Sequence, residues 1–298
     1  MQSTLSRRAF IQNSTLVLGG LASGSRLLAA EAASPRLRVG LVTDIHYADK
    51  PTRGSRHYQD SLAKLGEAVK HFNDEKPAFV ATLGDLIDSG DDLEKEVAHL
   101  QTVERVLDRL RCERHYVLGN HCVDGLTKGE FIENTALDQP HVAFDAGGFR
   151  FIILDACFRS DGEPYGRRNF EWTDPNIPDE QVAWLEQQLQ ATDHPVVILA
   201  HQHLDDAGNH SVKNAPQVRK VLEDSERVVA VFQGHSHRDA YQQINGIHYC
   251  TQVAMVEGPG LASSAYGMLS LYDDGSLRVT GSRLQPNWTI EAGATGRS

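Results

Sequence analysis

Five short polar clusters punctuate the apolar runs of this 298-residue chain: Asp44-Ile45-His46, Gly84-Asp85-Leu86-Ile87-Asp88, Gly119-Asn120-His121, His201-Gln202-His203 and Gly234-His235-Ser236-His237. Their donors are imidazole nitrogens, carboxylate oxygens and one amide oxygen, without a thiolate. That set suits divalent Mn, Fe, Co or Zn. One such cluster alone is most often a surface loop. Five in series, each closing an apolar run, put their donors at strand C-termini, where open α/β sheets gather ligand sites. An imidazole or amide holds one cation, whereas a carboxylate has two oxygens and can bridge two. A paired-cation centre therefore needs a shared acid, and Asp85, behind an apolar run and Gly84, suits that part. The chemistry of such a pair is hydrolytic: it activates water and stabilises developing negative charge.

The elements that would position these clusters alternate. Leu37 to Thr43 reads as a buried strand, followed by Tyr58, Leu62, Leu65, Val69 and Phe72 at helical spacing. Ala78 to Leu83 repeats the strand. Leu93, Val97, Leu100, Val103, Leu107 and Leu110 repeat the helix, and a short strand covers His115 to Leu118. Strands at Phe149 to Ala156, Pro195 to Ala200 and Val228 to Phe232 alternate with helices at Pro178 to Leu189 and near Ala215 to Leu222. After Gly234 the pattern changes to short strands, Ala240 to Ile244, Ile247 to Thr251, Gly267 to Tyr272 and Leu277 to Gly281. Asn245-Gly246 and Asp274-Gly275 mark two hairpin turns. The expected fold class is α/β, a two-sheet β-sandwich flanked by helices. Residues 158 to 178 form a long loop rich in Gly, Pro and charge, a length associated with function or motion.

A formal charge of -11 leaves no broad basic surface for a nucleic-acid backbone, so a polymeric nucleic-acid partner is not expected. The cysteines, Cys112, Cys122, Cys157 and Cys250, contain no C-x-x-C pair, and no connectivity can be read from them. At the N-terminus, Arg7-Arg8 precedes a mildly apolar stretch from Leu16 to Ala22 and the small-residue site Ala30-Glu31-Ala32. This arrangement resembles a twin-arginine (Tat) export signal. Glycines 19, 20 and 24 with Ser23 and Arg26 make the stretch too short and too polar for a stable membrane anchor. Expected domain limits are 1–32 for the signal peptide, 34–283 for a single folded domain and 284–298 for a C-terminal tail. Export through the twin-arginine machinery would give a periplasmic or extracellular protein of charge -13.

The order D-x-H, G-D-x-x-D, G-N-H, H and G-H-x-H resembles that of the calcineurin-like metallophosphoesterases over nearly the whole chain after residue 32. The resemblance implies one metal held by Asp44, His46, Asp85 and His237, and a second held by Asp85, Asn120, His201 and His235. Asp85 would bridge two divalent ions, with manganese first and iron, zinc or cobalt as alternatives, and a bridging hydroxide would attack phosphorus in line. It further implies that His121 approaches the leaving-group oxygen, as acid or hydrogen-bond donor, and that Asp88 orients its ring. His203 is expected behind the ligands, or in place of His201. Cys122 stands where the family commonly has an acid. A thiol beside a histidine is a conceivable nucleophile, but the two-metal pattern already supplies one.

A narrower resemblance, in Asp44 to Asp49, Arg56-His57-Tyr58, Gly246-Ile247-His248 and Val256-Glu257-Gly258, is to the manganese-dependent ADP-ribose/CDP-alcohol diphosphatases. It implies cleavage of a phosphodiester or diphosphate bond in a small nucleotide-like compound. Arg56, Tyr58, Arg167 and Arg168 are candidates for the distal part of that substrate, since Arg forks match phosphate and Tyr stacks on a base. Glu257 could contact a ribose hydroxyl or cap a turn. Two other readings remain: a broad phosphomonoesterase or cyclic-nucleotide phosphodiesterase, and a periplasmic metal-binding scaffold without turnover.

Overall fold

The computed structural model describes residues 34–206 and 208–291. The expected signal peptide, with Arg7 and Arg8, lies outside the described residues.

Two six-stranded sheets form the centre. In the first, β1 (Leu37–Val42), β2 (Phe79–Thr82) and β3 (Glu113–Tyr116) run parallel. β10 (Ala265–Leu271) joins β1 antiparallel, and β11 (Leu277–Arg283) and β12 (Trp288–Ile290) complete the order β12-β11-β10-β1-β2-β3. The second sheet has the order β4-β5-β6-β7-β9-β8, from β4 (Val142–Ala146), β5 (Phe149–Ile153), β6 (Val196–Leu199), β7 (Val228–Gln233), β8 (Ala240–Ile244) and β9 (Ile247–Thr251). Its strands β5, β6, β7 and β9 are parallel.

Strand periodicity explains the layering. Leu37, Val39 and Leu41 of β1 join Phe151, Ile153, Val197, Leu199 and Phe232 of the other sheet in one buried cluster, the core between the sheets. Val42 and Val80 face the opposite way, onto α1 (Asp60–Glu75) and α2 (Leu93–Leu107), where Leu65, Val69, Phe72, Leu100 and Val103 form a second cluster. Ile152, Ile198 and Val231 meet α4 (Asp179–Gln190) and α5 (Ala215–Asp224) through Val182, Leu185, Val218 and Leu222. The expected helix-flanked two-sheet sandwich is the observed architecture. Among the described residues no helix is long and apolar enough to cross a membrane.

Three elements were not expected. β4 follows Pro140 and pairs with β5 through Gly147 and Gly148, both at positive φ; its apolar run is only three residues, Val142 to Phe144, none of them fully buried, and Asp145 is exposed. α3 (Lys128–Glu133) is only 6 residues long, held by a capping box between Thr127 and Glu130. β12 lies past the expected domain end at residue 283. It pairs Ile290 with Leu277 and buries Ile290 in the inter-sheet core, so part of the expected tail, 284–298, is structured.

Candidate metal centre

The five polar clusters follow β1, β2, β3, β6 and β7, which are neighbouring parallel strands in their sheets, so all five open at one end of the sandwich. Asp44, His46, Asp85, Asn120, His201 and His235 are buried, and His237 is nearly so. Of these seven, Asp44, His46, Asp85, His235 and His237 have φ between 45° and 71°, a region disfavoured for residues with a Cβ. Strain on this scale persists where surrounding contacts over-determine it. Here Asp44 N donates to Gly84 O, His46 N to Asp85 O, and His235 N to Asp44 Oδ2. The glycines preceding the ligands are required by close approach: a Cβ on Gly84 would lie 2.3 Å from His201 Nδ1, and one on Gly119 2.2 Å from Asp85 Oδ1.

Hydrogen bonding sets the imidazole tautomers. His46 Nδ1 is 3.2 Å from Asp88 Oδ2, His237 Nδ1 is 2.6 Å from Glu257 Oε1, and His201 Nδ1 is 2.7 Å from Leu83 O. Each Nδ1 therefore donates its proton, and each Nε2 faces the centre, where a bound cation would take its lone pair in place of a proton. Yet His46 Nε2 and His237 Nε2 approach to 3.1 Å, and both face Asp44 Oδ1, at 3.6 and 3.4 Å. Asp85 Oδ2 lies 3.4 Å from His46 Nε2 and 3.1 Å from His201 Nε2, and His201 Nε2 is 3.2 Å from His235 Nδ1. Asp44 Oδ1, Asn120 Oδ1 and His235 Nε2 are buried without a hydrogen-bond partner. Converging lone pairs and orphaned oxygens on both sides of one carboxylate are a donor set that fits two cations.

The electrostatics agree with that fit. Burial alone would lower the basicity of His201 and His237, but Asp85 and Asp44 beside the first, and Asp44 and Glu257 beside the second, outweigh it and raise both to about 9. Burial alone would likewise raise Asp85, yet the surrounding His201, His121 and His46 hold it below the ordinary carboxylate range. The carboxylates thus stay ionised, and the positive charge they hold on the two imidazoles is charge that bound cations would supply instead.

His121 and Asp88 stand differently from expectation. The backbone N–H of His121 donates to Asp85 Oδ1 at 2.8 Å, and its ring lines the cavity. Its Nδ1 lies 3.8 Å from Asp88 Oδ1, too far for a hydrogen bond, and has no partner among the described residues. Asp88 instead orients His46 and takes Lys50 Nζ at 2.5 Å, with Arg56 Nη1 at 3.7 Å. His201 enters the centre, whereas His203 Nε2 turns to Gly234 O at 3.0 Å and supports the loop behind it. The Cys122 thiol is fully buried beneath Leu86 N, and burial with Asp85 nearby pushes it up to about 12, so it carries no nucleophile.

A cavity of about 670 Å³ opens from the centre. Arg56 and Tyr58 line it, but Tyr58 is 3% exposed, with Lys50 Nζ 4.3 Å above its ring. Arg167 pairs with Glu130 and Arg168 with Glu96. Both anchor the 158–178 loop and are not among the described cavity-lining residues. That loop delivers Phe170 and Trp172 to the cavity wall instead. Neither Phe170 nor Trp172 is among the residues expected at the site, and their signal in the sequence is a pair of aromatics two residues apart within a charged segment. Glu257 contacts His237, a partner that no local spacing encodes.

Residues 37–239 match the family described as calcineurin-like phosphoesterase. The chain is similar to the manganese-dependent ADP-ribose/CDP-alcohol diphosphatases of Oryza sativa subsp. japonica (26% identity, 84% of this chain, 92% of the relative) and Xenopus tropicalis (27% identity, 80% and 90%). Its fold is shared with the crystal structure of a dimetal phosphatase from Danio rerio, at a TM-score of 0.73, 23% identity and coverage of 87% of this chain and 100% of that one.

Proposed function

The chain belongs to the calcineurin-like phosphoesterase family, and from that premise we propose that it is an exported two-metal hydrolase that cleaves the diphosphate bridge of small nucleotide-linked compounds. The observation that carries the two-metal reading is Asp85 Oδ2, placed 3.4 Å from His46 Nε2 and 3.1 Å from His201 Nε2. Asp44, His46, Asp85 and His237 would hold one ion, and Asp85, Asn120, His201 and His235 the other. When bound, two divalent cations supply positive charge for the phosphoryl oxygens and lower the pKa of a shared water. Manganese is favoured by the names of the relatives above.

The chain's own residues do the rest. Asp88 and Glu257 fix the rings of His46 and His237, so their lone pairs are preorganised. His121, on the cavity wall beside Asp85, is placed to give a hydrogen bond to the oxygen that leaves phosphorus. Arg56 supplies a guanidinium on the same wall for a second phosphate. A cavity of this size, walled by Phe170 and Trp172, accommodates a planar base beyond that phosphate, which favours a diphosphate-linked substrate over a simple monoester.

The test is kcat/KM of the chain from residue 33 onward with Mn²⁺, measured on ADP-ribose, CDP-choline, a cyclic nucleotide and an aryl phosphate. Preference for the first two, each yielding two monophosphates, is expected. Preference for the aryl phosphate or cyclic nucleotide overturns the diphosphate assignment and leaves the metal centre standing. The export assignment rests on Arg7 and Arg8: replacing both by lysine is expected to hold the protein in the cytoplasm of a fractionated cell, and unchanged recovery outside it overturns that part.

A further inference from the structure

Lys64 sits in α1 with no exposed surface, and its ammonium is met by main-chain carbonyls. Met255 O accepts at 2.9 Å, Glu257 O at 2.9 Å and Gly258 O at 2.8 Å. All three N–H donors of the group are thereby satisfied. A buried charge is a costly way to fill space that a methionine would fill as well.

The three carbonyls belong to a strap that crosses the edge of the metal centre. Met255 N donates to Thr43 O and Val256 N to Asp44 O, tying the strap to the first ligand cluster. On its other side His57 N donates to Val256 O and Gly258 N to Ser55 O, tying it to the segment that carries Arg56. The strap turns at Met255 and Val256 and again at Gly258, whose φ is positive, so that the carbonyls of residues 255, 257 and 258 converge on the Lys64 ammonium. The strap carries Glu257, whose Oε1 takes His237 Nδ1 at 2.6 Å. His237 Nε2 in turn faces Asp44 Oδ1 at 3.4 Å.

We propose that Lys64 is a positioning residue for the metal centre, clamping the 255–258 strap so that Glu257 holds the His237 ring with its Nε2 turned toward Asp44. The proposal rests on the metal-centre reading given above. It gives α1, otherwise a packing helix, a direct mechanical link to one of the two ions and not to the other.

The experiment is a calorimetric Mn²⁺ titration of the full chain and its Lys64→Gln, Glu257→Gln, doubly substituted and Asp85→Asn variants. Lys64→Gln removes one of three donors and is expected to weaken one of two Mn²⁺ sites by about tenfold, the scale of a lost outer contact to a ligand histidine, while the other site keeps its affinity. Glu257→Gln is expected to weaken the same site by a similar factor. The double variant should be no weaker than the weaker single, because both substitutions act through one ring. Lys64→Arg keeps the charge but exchanges a three-pronged donor for a planar fork; the same selective loss is expected, and it serves as the arm of the cycle if Lys64→Gln does not fold. Unchanged affinity in the Lys64 variants, equal weakening of both sites, or additive effects in the double variant each overturn the clamp. If Asp85→Asn binds Mn²⁺ as the parent does, the metal centre itself fails and the clamp with it. If Asp85→Asn loses binding while the Lys64 variants match the parent, the clamp alone fails.

Discussion

Asp85 and Glu104 are both acids with almost no solvent contact, one at the ends of the parallel strands and one behind β3 on α2. Burial raises the pKa of each, and their neighbours decide the outcome. Asp85 has His201, His121 and His46 around it, and their charge holds it ionised. Glu104 has the Tyr116 hydroxyl, which donates at 2.9 and 3.0 Å, and Arg114 only at 3.9 Å, so burial prevails and raises it to about 7. The same residue class, buried in both places, is thus held ionised among the histidines and has its affinity for a proton raised toward neutrality where it packs behind β3. A buried carboxylate therefore reads as a binding group only when its surroundings insist on its charge.

The most direct way to break this contrast is Asp85→Asn, which keeps shape and removes the charge. The expected outcome is loss of metal to half the parent stoichiometry or less by elemental analysis, with turnover falling by at least about three orders of magnitude, since both ions lose their shared ligand. Full metal occupancy would refute the bridge. One position further out, His121→Ala should keep both ions while lowering kcat by about two to four orders of magnitude, the range for a lost proton donor. A parent-like kcat would remove His121 from the reaction.

How much of this contrast could be read from the sequence depends on where each partner lies along the chain. The donors of the centre are legible because each terminates an apolar run and the strands that carry them are parallel, so strand end and site coincide. What supports the donors was not legible. Glu257 reaches His237 across 20 residues, Lys64 reaches the 255–258 strap across more than 190, and Lys50 reaches Asp88 across 38; no local pattern marks a long-range hydrogen bond. Asp88 illustrates the limit, since the resemblance assigns it to the ring of His121 and only the fold shows its hydrogen bond to His46. The 158–178 loop was read for charge. With φ of 55° and 63°, Arg167 and Arg168 turn their guanidinium groups to Glu130 and Glu96, and the aromatics are what remain toward the cavity. β4 and β12 were missed because neither has an apolar run longer than its short, partly exposed strand.

That loop and the facing Arg56 sharpen the contrast at intermediate scale, because similar guanidinium groups differ in what they face. Arg56→Ala should raise KM for a diphosphate-linked substrate by about tenfold with little change in kcat, as expected when a binding contact common to ground and transition states is lost. Arg168→Ala should leave KM within about twofold, since its guanidinium lies against Glu96 and Gly90 O. Equal effects of the two substitutions on KM would erase the distinction drawn between them.

The smallest effect concerns the packing acid itself and is read as stability. Glu104 has a folded-state pKa of about 7 against an ordinary 4.5, so between those values the unfolded chain has given up the proton and the folded chain still holds it. Stability associated with this group is therefore complete below about pH 4.5 and declines as pH rises through about 7, by roughly 3 kcal/mol in all. Glu104→Gln retains an oxygen to accept the Tyr116 hydroxyl and has no proton to lose. The melting temperature of the variant, relative to the parent, should accordingly be close at pH 5 and higher by about 5 °C at pH 8. A gap that does not change between the two pH values would mean that Glu104 is ionised in the fold like Asp85, and that its contrast with the metal centre lies in position alone.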